Sequence, residues 1–248
     1  GHITDKTHYN YATSLRRFLE WCDEKGITDM NDLDSELIDR FKEWRLQDVK
    51  PITAKNDMNT IRNFIEYAAS IQAVPAGLSD LVRIPKVSED DEICDDYLTR
   101  QEAKAVLNHL SKYEYASRRH VTVLILWKSG MRLSGLRSLD LEDFDQARPA
   151  LEVRHRPETK TPLKRKSKSE RDVILSPDTA TVLADYIDNQ RANSTDQFGR
   201  NPLLSTREGR AARTTIQKYV YTATRPCHYN GEECPYSRDT DTCEALAF

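Results

Sequence analysis

The stretch WKSGMRLSGLRSL, residues 127–139, decides how the second half of this chain folds. An apolar run from about His120 to Trp127 predicts a buried helix that ends at Gly130, because glycine most readily takes the left-handed conformation that closes a helix. A second short apolar segment begins at once, so Arg132 is expected in a tight corner between two helices. A guanidinium held there, with five donors and a permanent charge, suits a phosphate whose negative charge grows during a reaction. The alternative is an ordinary surface arginine in a turn.

Length and composition predict two globular domains and no membrane-spanning segment. The chain has 248 residues, enough for one large core or two ordinary ones. Its mean hydropathy is -0.72 and 31% of its residues are charged. No run of roughly 18 apolar residues occurs, and residues 1–5 lack the basic and apolar regions of a secretory signal. We therefore expect a cytoplasmic protein.

The charges are separated along the chain more strongly than the net value suggests. The net charge is -3, which by itself does not indicate a protein that binds nucleic acid. Negative charge is concentrated at residues 89–92 and at Asp95 and Asp96. Positive charge is concentrated at Lys160, Lys164, Arg165, Lys166, Lys168 and Arg171. The near-neutral total therefore conceals two regions of opposite charge.

Residues 1–83 are predicted to form a helical domain. Their apolar residues recur at helical spacing and indicate four helices. Thr53 is the candidate N-cap of the third helix. The four apolar stripes cover residues 11–22, 37–44, 58–68 and 78–82. Residues 84–97 combine Pro85 with the acidic run, and this composition predicts an exposed acidic linker.

Residues 98–248 are predicted to form a second domain that mixes helices with a small sheet. Thr99 and Glu102 make a capping box at the start of an amphipathic helix. Two strands are predicted at residues 151–154 and 172–175, because these segments alternate apolar and polar residues or contain β-branched ones. The basic stretch joins the two strands as a hairpin. Further helices are expected from Pro177 and from a Thr214–Thr215 cap. The fold class predicted for the chain is mainly α with a small β-sheet.

The Arg132 segment resembles the first arginine motif of the tyrosine recombinases, the phage-integrase family. That motif reads Gly-x-Arg-x-Ser-Glu-Leu, and here Gly135 stands where the Glu is expected. The resemblance implies a SAM-like helical core-binding domain followed by a truncated α+β catalytic domain. The sequences LEVRHRPET, residues 151–159, and Arg225-Pro226-Cys227 are similar to integrases of haloarchaea.

The resemblance implies a site-specific recombinase that cleaves and rejoins DNA through a 3′-phosphotyrosine without a catalytic cofactor. In this family two arginines and a histidine hold the phosphate, and a lysine on a β-hairpin protonates the leaving 5′-oxygen. Arg132 matches the first arginine. Lys164 is our first choice for the hairpin lysine and Lys166 the second, and Lys168 remains open. A solvated hairpin tip is the alternative interpretation of these lysines.

The downstream part of the family's site is absent from these 248 residues. None of the six histidines is followed three residues later by an arginine. We therefore interpret none of Tyr219, Tyr221, Tyr229 and Tyr236 as the nucleophile. Whether the chain is a fragment or naturally shortened remains open, but we expect it to bind DNA without cleaving it. One alternative is an integrase-derived, non-catalytic DNA-binding regulator. Another is a zinc-containing interaction module, which would leave Arg132 and Lys164 far apart.

Double-stranded DNA is the expected partner. The resemblance implies a tetramer on DNA for the complete recombinase, which would integrate or excise a mobile element, whereas the present chain is expected to be a monomer. The candidate DNA-contacting residues are Arg40, Arg45, Lys50, Thr53, Lys55, Arg62 and Arg213, with Arg210 and Lys218 as further candidates.

Three cysteines near the end of the chain indicate a possible structural zinc site. Cys227, Cys234 and Cys243 lie within 17 residues, and clustered thiols in a cytoplasmic protein suggest a metal before a disulfide. His228 or a residue beyond position 248 could be the fourth ligand. Unpaired cysteines are the alternative. Cys22 lies on an apolar stripe and is predicted to be core.

Overall fold

The computed structural model describes residues 5–88 and 97–231, with side chains from residue 7 onward. The chain divides into two compact units, residues 1–95 and 96–248. The acidic residues at 89–92, Asp95 and Asp96 lie outside the described residues, as do Cys234, Tyr236 and Cys243.

The first unit is helical, as its sequence predicts. Its α-helices are α1 (Asp5–Lys25), α2 (Ser35–Asp48) and α3 (Pro51–Ser70). Gly26 follows α1 with a positive φ of 70°, the left-handed conformation in which glycine commonly ends a helix. The predicted fourth helix is only a 3-10 turn, Leu78–Leu81, because the preceding segment with Pro75 and Gly77 leaves too few residues for an α-helix.

The predicted cap of α3 is wrong. Lys50 is the N-cap residue and Thr53 lies inside the first turn, where its backbone N–H donates to Lys50 O at 2.9 Å. The physical reason is Pro51, which has no N–H to satisfy and whose fixed φ suits the first helical position.

Aromatic rings form the centre of the first core. Phe18 meets Phe41 edge to face at 5.0 Å between ring centroids, and Trp21 meets Phe41 at 5.6 Å. Ile61, Ile65 and Cys22 are buried with them, which confirms the prediction for Cys22.

The second unit surrounds a small sheet with helices. Its helices in the described part of the chain are α4 (Arg100–Tyr113), α5 (Arg118–Ser129), α6 (Leu133–Ser138), α7 (Pro177–Asn189), α8 (Arg213–Ala223) and α9 (Pro226–Tyr229). The capping box of Thr99 and Glu102 is present, as predicted. The Thr214–Thr215 cap is wrong, because Ala212 is the extended residue before α8 and the threonines lie within the first turn.

Three antiparallel strands form the sheet of this unit. They are β1 (Phe144–Asp145), β2 (Ala150–Val153) and β3 (Arg171–Ile174), in the order β1-β2-β3. Leu151 pairs with Val173 across the predicted hairpin, whose strands start one residue earlier than expected. A second two-stranded sheet joins β4 (Ser205–Thr206) to β5 (Gly209–Arg210).

The fold is therefore mainly α with small antiparallel sheets, as the sequence predicts. The core of the second unit includes Ile125, Leu136, Leu151 and Leu183. None of the described helices is long and apolar enough to cross a lipid bilayer.

Candidate active site

A sharp corner between α5 and α6 presents Arg132. Gly130 closes α5 in the left-handed conformation, with φ 59° and ψ 17°, as the sequence predicts. Met131 and Leu136 are buried on either side of the exposed Arg132, which is the N-cap residue of α6. Within residues 7–88 and 97–231 no carboxylate forms an ion pair with Arg132. Its guanidinium is therefore available to a ligand.

The loop between β2 and β3 is held by hydrogen bonds at its base. The Leu163 N–H donates to His155 Nδ1 at 3.0 Å, and the His155 N–H donates to Glu170 Oε1 at 2.9 Å. Leu163 is buried in the core of the second unit, whereas the adjacent Lys164 is exposed. The loop therefore has an anchored side and a side that faces solvent.

Arg132 and Lys164 line the same open cleft, which has a volume of about 420 Å³. The other lining residues are Gly130, Ser134, Gly135, Leu163, Arg165, Lys168, Ser169, Glu170 and Arg171. Five cationic side chains and one carboxylate thus surround the cleft. Lys166 is not among the lining residues and has a positive φ of 52°. This proximity argues against an interaction module in which Arg132 and Lys164 lie far apart.

The carboxylate of the cleft comes from an unexpected position. Gly135 is buried, and a Cβ built there would lie 3.8 Å from Val153 Cγ1, an ordinary contact distance. Glu170 lines the cleft instead, next to β3. Nothing in the local sequence distinguishes Glu170 from other exposed glutamates, so sequence analysis could not have found it.

An ionic network, most of it withdrawn from solvent, ties the hairpin loop to the residues that follow α6. Asp140 pairs with Arg200 and Arg210, and Asp143 pairs with Arg156. Arg200 also donates to Thr161 Oγ1 at 2.9 Å and to the Ser138 carbonyl oxygen at 3.2 Å. The hydrogen bond from Arg156 to Asp143 raises the pKa of Arg156. These bonds fix the base of the loop that carries Lys164.

Two arginines suggested as DNA contacts have structural roles instead. Arg45 is 5% exposed, and its Nε and Nη2 donate to Asp57 Oδ2 at 3.0 and 2.9 Å. The side chain of Arg210 is also 5% exposed and pairs with Asp140 and Asp196. These two assignments are wrong, because a buried guanidinium that is paired with carboxylates cannot reach a phosphate.

The other candidate DNA contacts differ in accessibility. Arg40 is exposed and pairs with Glu36 at 2.6 Å, whereas Arg62 is half-buried and donates to the Val82 carbonyl oxygen at 2.7 Å. Lys50, Thr53, Arg213 and Lys218 are exposed, and Lys55 is half-buried. Their contact with DNA stays a prediction.

The first unit also has an amide-rich polar groove that sequence analysis missed. It lies between α1 and α3 and has a volume of about 540 Å³. Its lining residues are Tyr9, Asn10, Tyr11, Thr13, Ser14, Asn56, Asp57, Asn59, Thr60 and Asn63. The repeated Asn residues at positions 56, 59 and 63 were the available signal. Amides of this kind both donate and accept hydrogen bonds.

The described tyrosines and cysteine of the C-terminal part lie on α8 and α9. Tyr219, Tyr221 and Tyr229 are half-buried, as is Cys227 at the start of α9. Tyr236, Cys234 and Cys243 lie outside the described residues, so the three-cysteine site stays a prediction.

Comparisons with known proteins agree with this architecture. The family described as phage integrase, N-terminal SAM-like domain, matches residues 2–72. Tyrosine recombinase XerC 2 of Ralstonia nicotianae is 25% identical over 152 residues, which cover 57% of this chain and 42% of that protein. The chain therefore spans about two fifths of the length of this relative.

Two solved structures are similar. The N-terminal domain of a phage integrase/site-specific recombinase from Haloarcula marismortui is 32% identical, with 34% of this chain and 81% of that chain covered and a TM-score of 0.33. The Tn1549 transposon integrase, in complex with a circular intermediate DNA, is 15% identical. The match covers 94% of this chain and 76% of that chain, with a TM-score of 0.71, so the two proteins have the same fold.

The helical first unit, the arginine corner beside a β-hairpin and these similarities lead to one conclusion. This chain belongs to the tyrosine recombinase family, also called the phage-integrase family.

Proposed function

We propose that this chain is part of a site-specific DNA recombinase that cleaves and rejoins strands through a 3′-phosphotyrosine. The observation that carries the proposal is the basic cleft, in which Arg132 and Lys164 face one solvent-open volume. A DNA phosphate is small enough for this cleft and has the opposite charge. The DNA complex of the Tn1549 integrase, which has the same fold, adds support.

In the proposed mechanism, the two side chains act on the same phosphate from different sides. Arg132 donates to a non-bridging oxygen and stabilises the charge that grows as the phosphorus becomes pentavalent. Lys164 protonates the leaving 5′-oxygen, which lets the strand break without a metal ion. Lys166 is the second choice for this acid, and Lys168, which lines the cleft, remains open.

For these 248 residues alone, we propose DNA binding without strand cleavage. They hold no His-x-x-Arg pattern, so the second arginine that the family uses is missing from the sequence. The expected partner is duplex DNA, with the chain itself a monomer and the complete recombinase a tetramer. We place the protein in the cytoplasm, with a haloarchaeal mobile element as its source.

The same missing pattern supports a second candidate function. A non-catalytic, integrase-derived regulator would occupy recombination sites and block them, and would need the basic cleft only for binding. In either case, the proposal of a structural zinc held by Cys227, Cys234 and Cys243 is separate from catalysis, with His228 or a residue beyond position 248 as fourth ligand.

Fluorescence anisotropy with a labelled random-sequence duplex tests DNA binding. We expect the Arg132→Gln/Lys164→Gln variant to reduce the slope of log affinity against log salt by about 1, because the two substitutions together remove the cations that neutralise one phosphate. The matched control is Lys104→Gln/Lys112→Gln, which removes two exposed charges from α4. Equal slopes for the two variants would contradict the role of the cleft.

A second assay separates binding from chemistry. The chain is incubated with nicked duplexes that trap a covalent intermediate, followed by denaturing electrophoresis. We expect no protein–DNA adduct. An adduct that disappears in one tyrosine variant would show that a nucleophile lies within these 248 residues and would overturn the proposal of binding alone.

A further inference from the structure

Two histidines and a glutamate meet on the second unit, away from the basic cleft. His109 lies on α4, Glu114 is the residue that caps this helix, and His228 lies on α9. One ligand atom from each lies within 4.8 Å of the other two. Glu114 Oε1 and His228 Nε2 lie 3.0 Å apart. All three residues are half-buried, so a small solute can reach them.

The donor set and its spacing suit a divalent transition metal. Two imidazole nitrogens and one carboxylate oxygen are ligands that zinc accepts in proteins. Bonds of about 2.0–2.2 Å in a tetrahedron place the donor atoms roughly 3.4 Å apart. The donor atoms of Glu114 and His228 are already near this separation. Rotation of the His109 side chain can bring its ring nitrogen to the position of the third donor. The imidazole rings of His109 and His228 are 4.9 Å apart.

Arg119 competes for the same atoms. Its Nη1 lies 2.8 Å from Glu114 Oε1 and 3.3 Å from His228 Nε2. His228 Nε2 can donate to Glu114 or accept from Arg119, but it cannot do both at once. Within the described residues, Arg119 Nε is buried and has no hydrogen-bond partner. One nitrogen of the guanidinium is therefore unsatisfied, while another lies beside the Glu114 and His228 atoms that a metal ion would use.

We propose that His109, Glu114 and His228 form a binding site for a divalent metal ion of the zinc class. The ion displaces Arg119 from Glu114, and a water molecule completes the coordination. Since His228 is on a four-residue helix, the metal fastens α9 to the end of α4. His228 can complete only one site, so this site is an alternative to a three-cysteine zinc that uses His228 as its fourth ligand, and it does not depend on DNA cleavage.

Cobalt(II) is the probe for the test, because its absorption reports the ligands. The full chain is stripped with a chelator and titrated with Co²⁺. We expect one equivalent to bind, with the visible bands of tetrahedral cobalt and without the near-ultraviolet thiolate-to-cobalt band. Zn²⁺ should displace it. A three-cysteine variant, with Ser at Cys227, Cys234 and Cys243, should bind cobalt with unchanged affinity.

Two substitutions in the cluster are expected to change metal affinity in opposite directions. His109→Ala should weaken binding roughly 100-fold, since it removes a ligand, and the exposed neighbour Asn108→Ala is its control. Arg119→Gln should tighten binding by about tenfold, because it removes a competing positive charge. Arg100→Gln, an exposed charge on the same helix as His109, is the control for Arg119.

The gain in affinity expected for Arg119→Gln cannot be produced by misfolding, so the proposal remains falsifiable if His109→Ala is unstable. Three results would overturn it: no stoichiometric cobalt, a thiolate band whose loss follows the cysteine substitutions, or affinities that neither His109→Ala nor Arg119→Gln changes.

Discussion

Two groups of cationic residues in the second unit differ in exposure: the exposed group lines an open cleft, and in the buried group at most 26% of each side chain is exposed. Arg132, Lys164 and Arg165 surround an open cleft. The buried group is formed by Arg156, Arg200 and Arg210, which pair with Asp140, Asp143 and Asp196. Both groups contain arginine, so residue type alone does not decide the role. The role of an arginine is decided by whether a carboxylate inside the fold pairs with it.

The difference has a simple electrostatic cause. A buried guanidinium loses its hydration and must be compensated by carboxylates and hydrogen bonds. An exposed guanidinium keeps its hydration and can exchange water for a phosphate at little cost. The buried group therefore stabilises the hairpin loop, and the exposed group is left for a ligand.

The largest effect is expected from the centre of the buried group. Asp140→Asn removes the charge that Arg200 and Arg210 share. We expect it to lower the free energy of unfolding of the second unit by about 3–5 kcal/mol, because two buried arginines lose their counter-charge. Denaturant unfolding followed by hydrogen exchange measures this for each unit separately. The exposed Asp188→Asn is the control, and an equal effect there would remove the distinction between the two groups.

The first unit repeats the buried arrangement on a smaller scale. Asp57 accepts two hydrogen bonds from Arg45 and one from Ser14 Oγ, at 2.6 Å. Asp57→Asn should cost the first unit about 3 kcal/mol, since Arg45 is left buried beside a neutral side chain. Thermal unfolding detected by tryptophan fluorescence reports this unit through the buried Trp21. Asp23→Asn is the exposed control, and a silent Asp57→Asn would mean that Arg45 is held mainly by packing.

Substitutions in the cleft should affect DNA affinity strongly and stability only slightly. Arg132→Gln is expected to change the free energy of unfolding by less than about 0.5 kcal/mol, because an exposed side chain outside the buried network contributes little to stability. The same variant should lower DNA affinity by roughly tenfold at low salt. Parallel unfolding and anisotropy measurements test both halves. A large loss of stability would place Arg132 with the buried group instead.

The smallest effect concerns a buried histidine and depends on pH. Burial lowers the pKa of His120 below its ordinary value of 6.5, and the charge of Glu114 only partly opposes this. The unfolded chain therefore binds a proton below about pH 6.5 that the folded chain does not. Stability from this group is complete above that pH and is lost as the pH falls below it.

His120→Asn isolates this contribution, since its amide oxygen can still accept the hydrogen bond that Ala116 N donates to His120 Nδ1 at 3.2 Å. The free energy of unfolding of the wild-type protein should fall more steeply between about pH 7 and pH 5 than that of the variant. Parallel pH profiles would show that His120 is protonated equally in both states.

Local signals predicted most of the secondary structure. Gly130, the Thr99 capping box and the alternating segments at 151–154 and 172–175 act through neighbouring residues, so they can be recognised along the chain. A prediction failed where a neighbouring residue with a stronger preference set the start of a helix, as Pro51 did for α3. The arginine corner and the lysine hairpin were also recognisable, because each is a short segment with its own turn chemistry.

The sequence by itself determined the two-unit helical plan, the corner at Arg132 and the family to which the chain belongs. Only the tertiary structure decided which cations remain available and that Glu170 supplies the carboxylate of the cleft. The reason is distance along the chain: Asp140 is 60 residues from Arg200 and 70 from Arg210. Ion pairs of that separation depend on how the whole unit packs, and no local pattern encodes them.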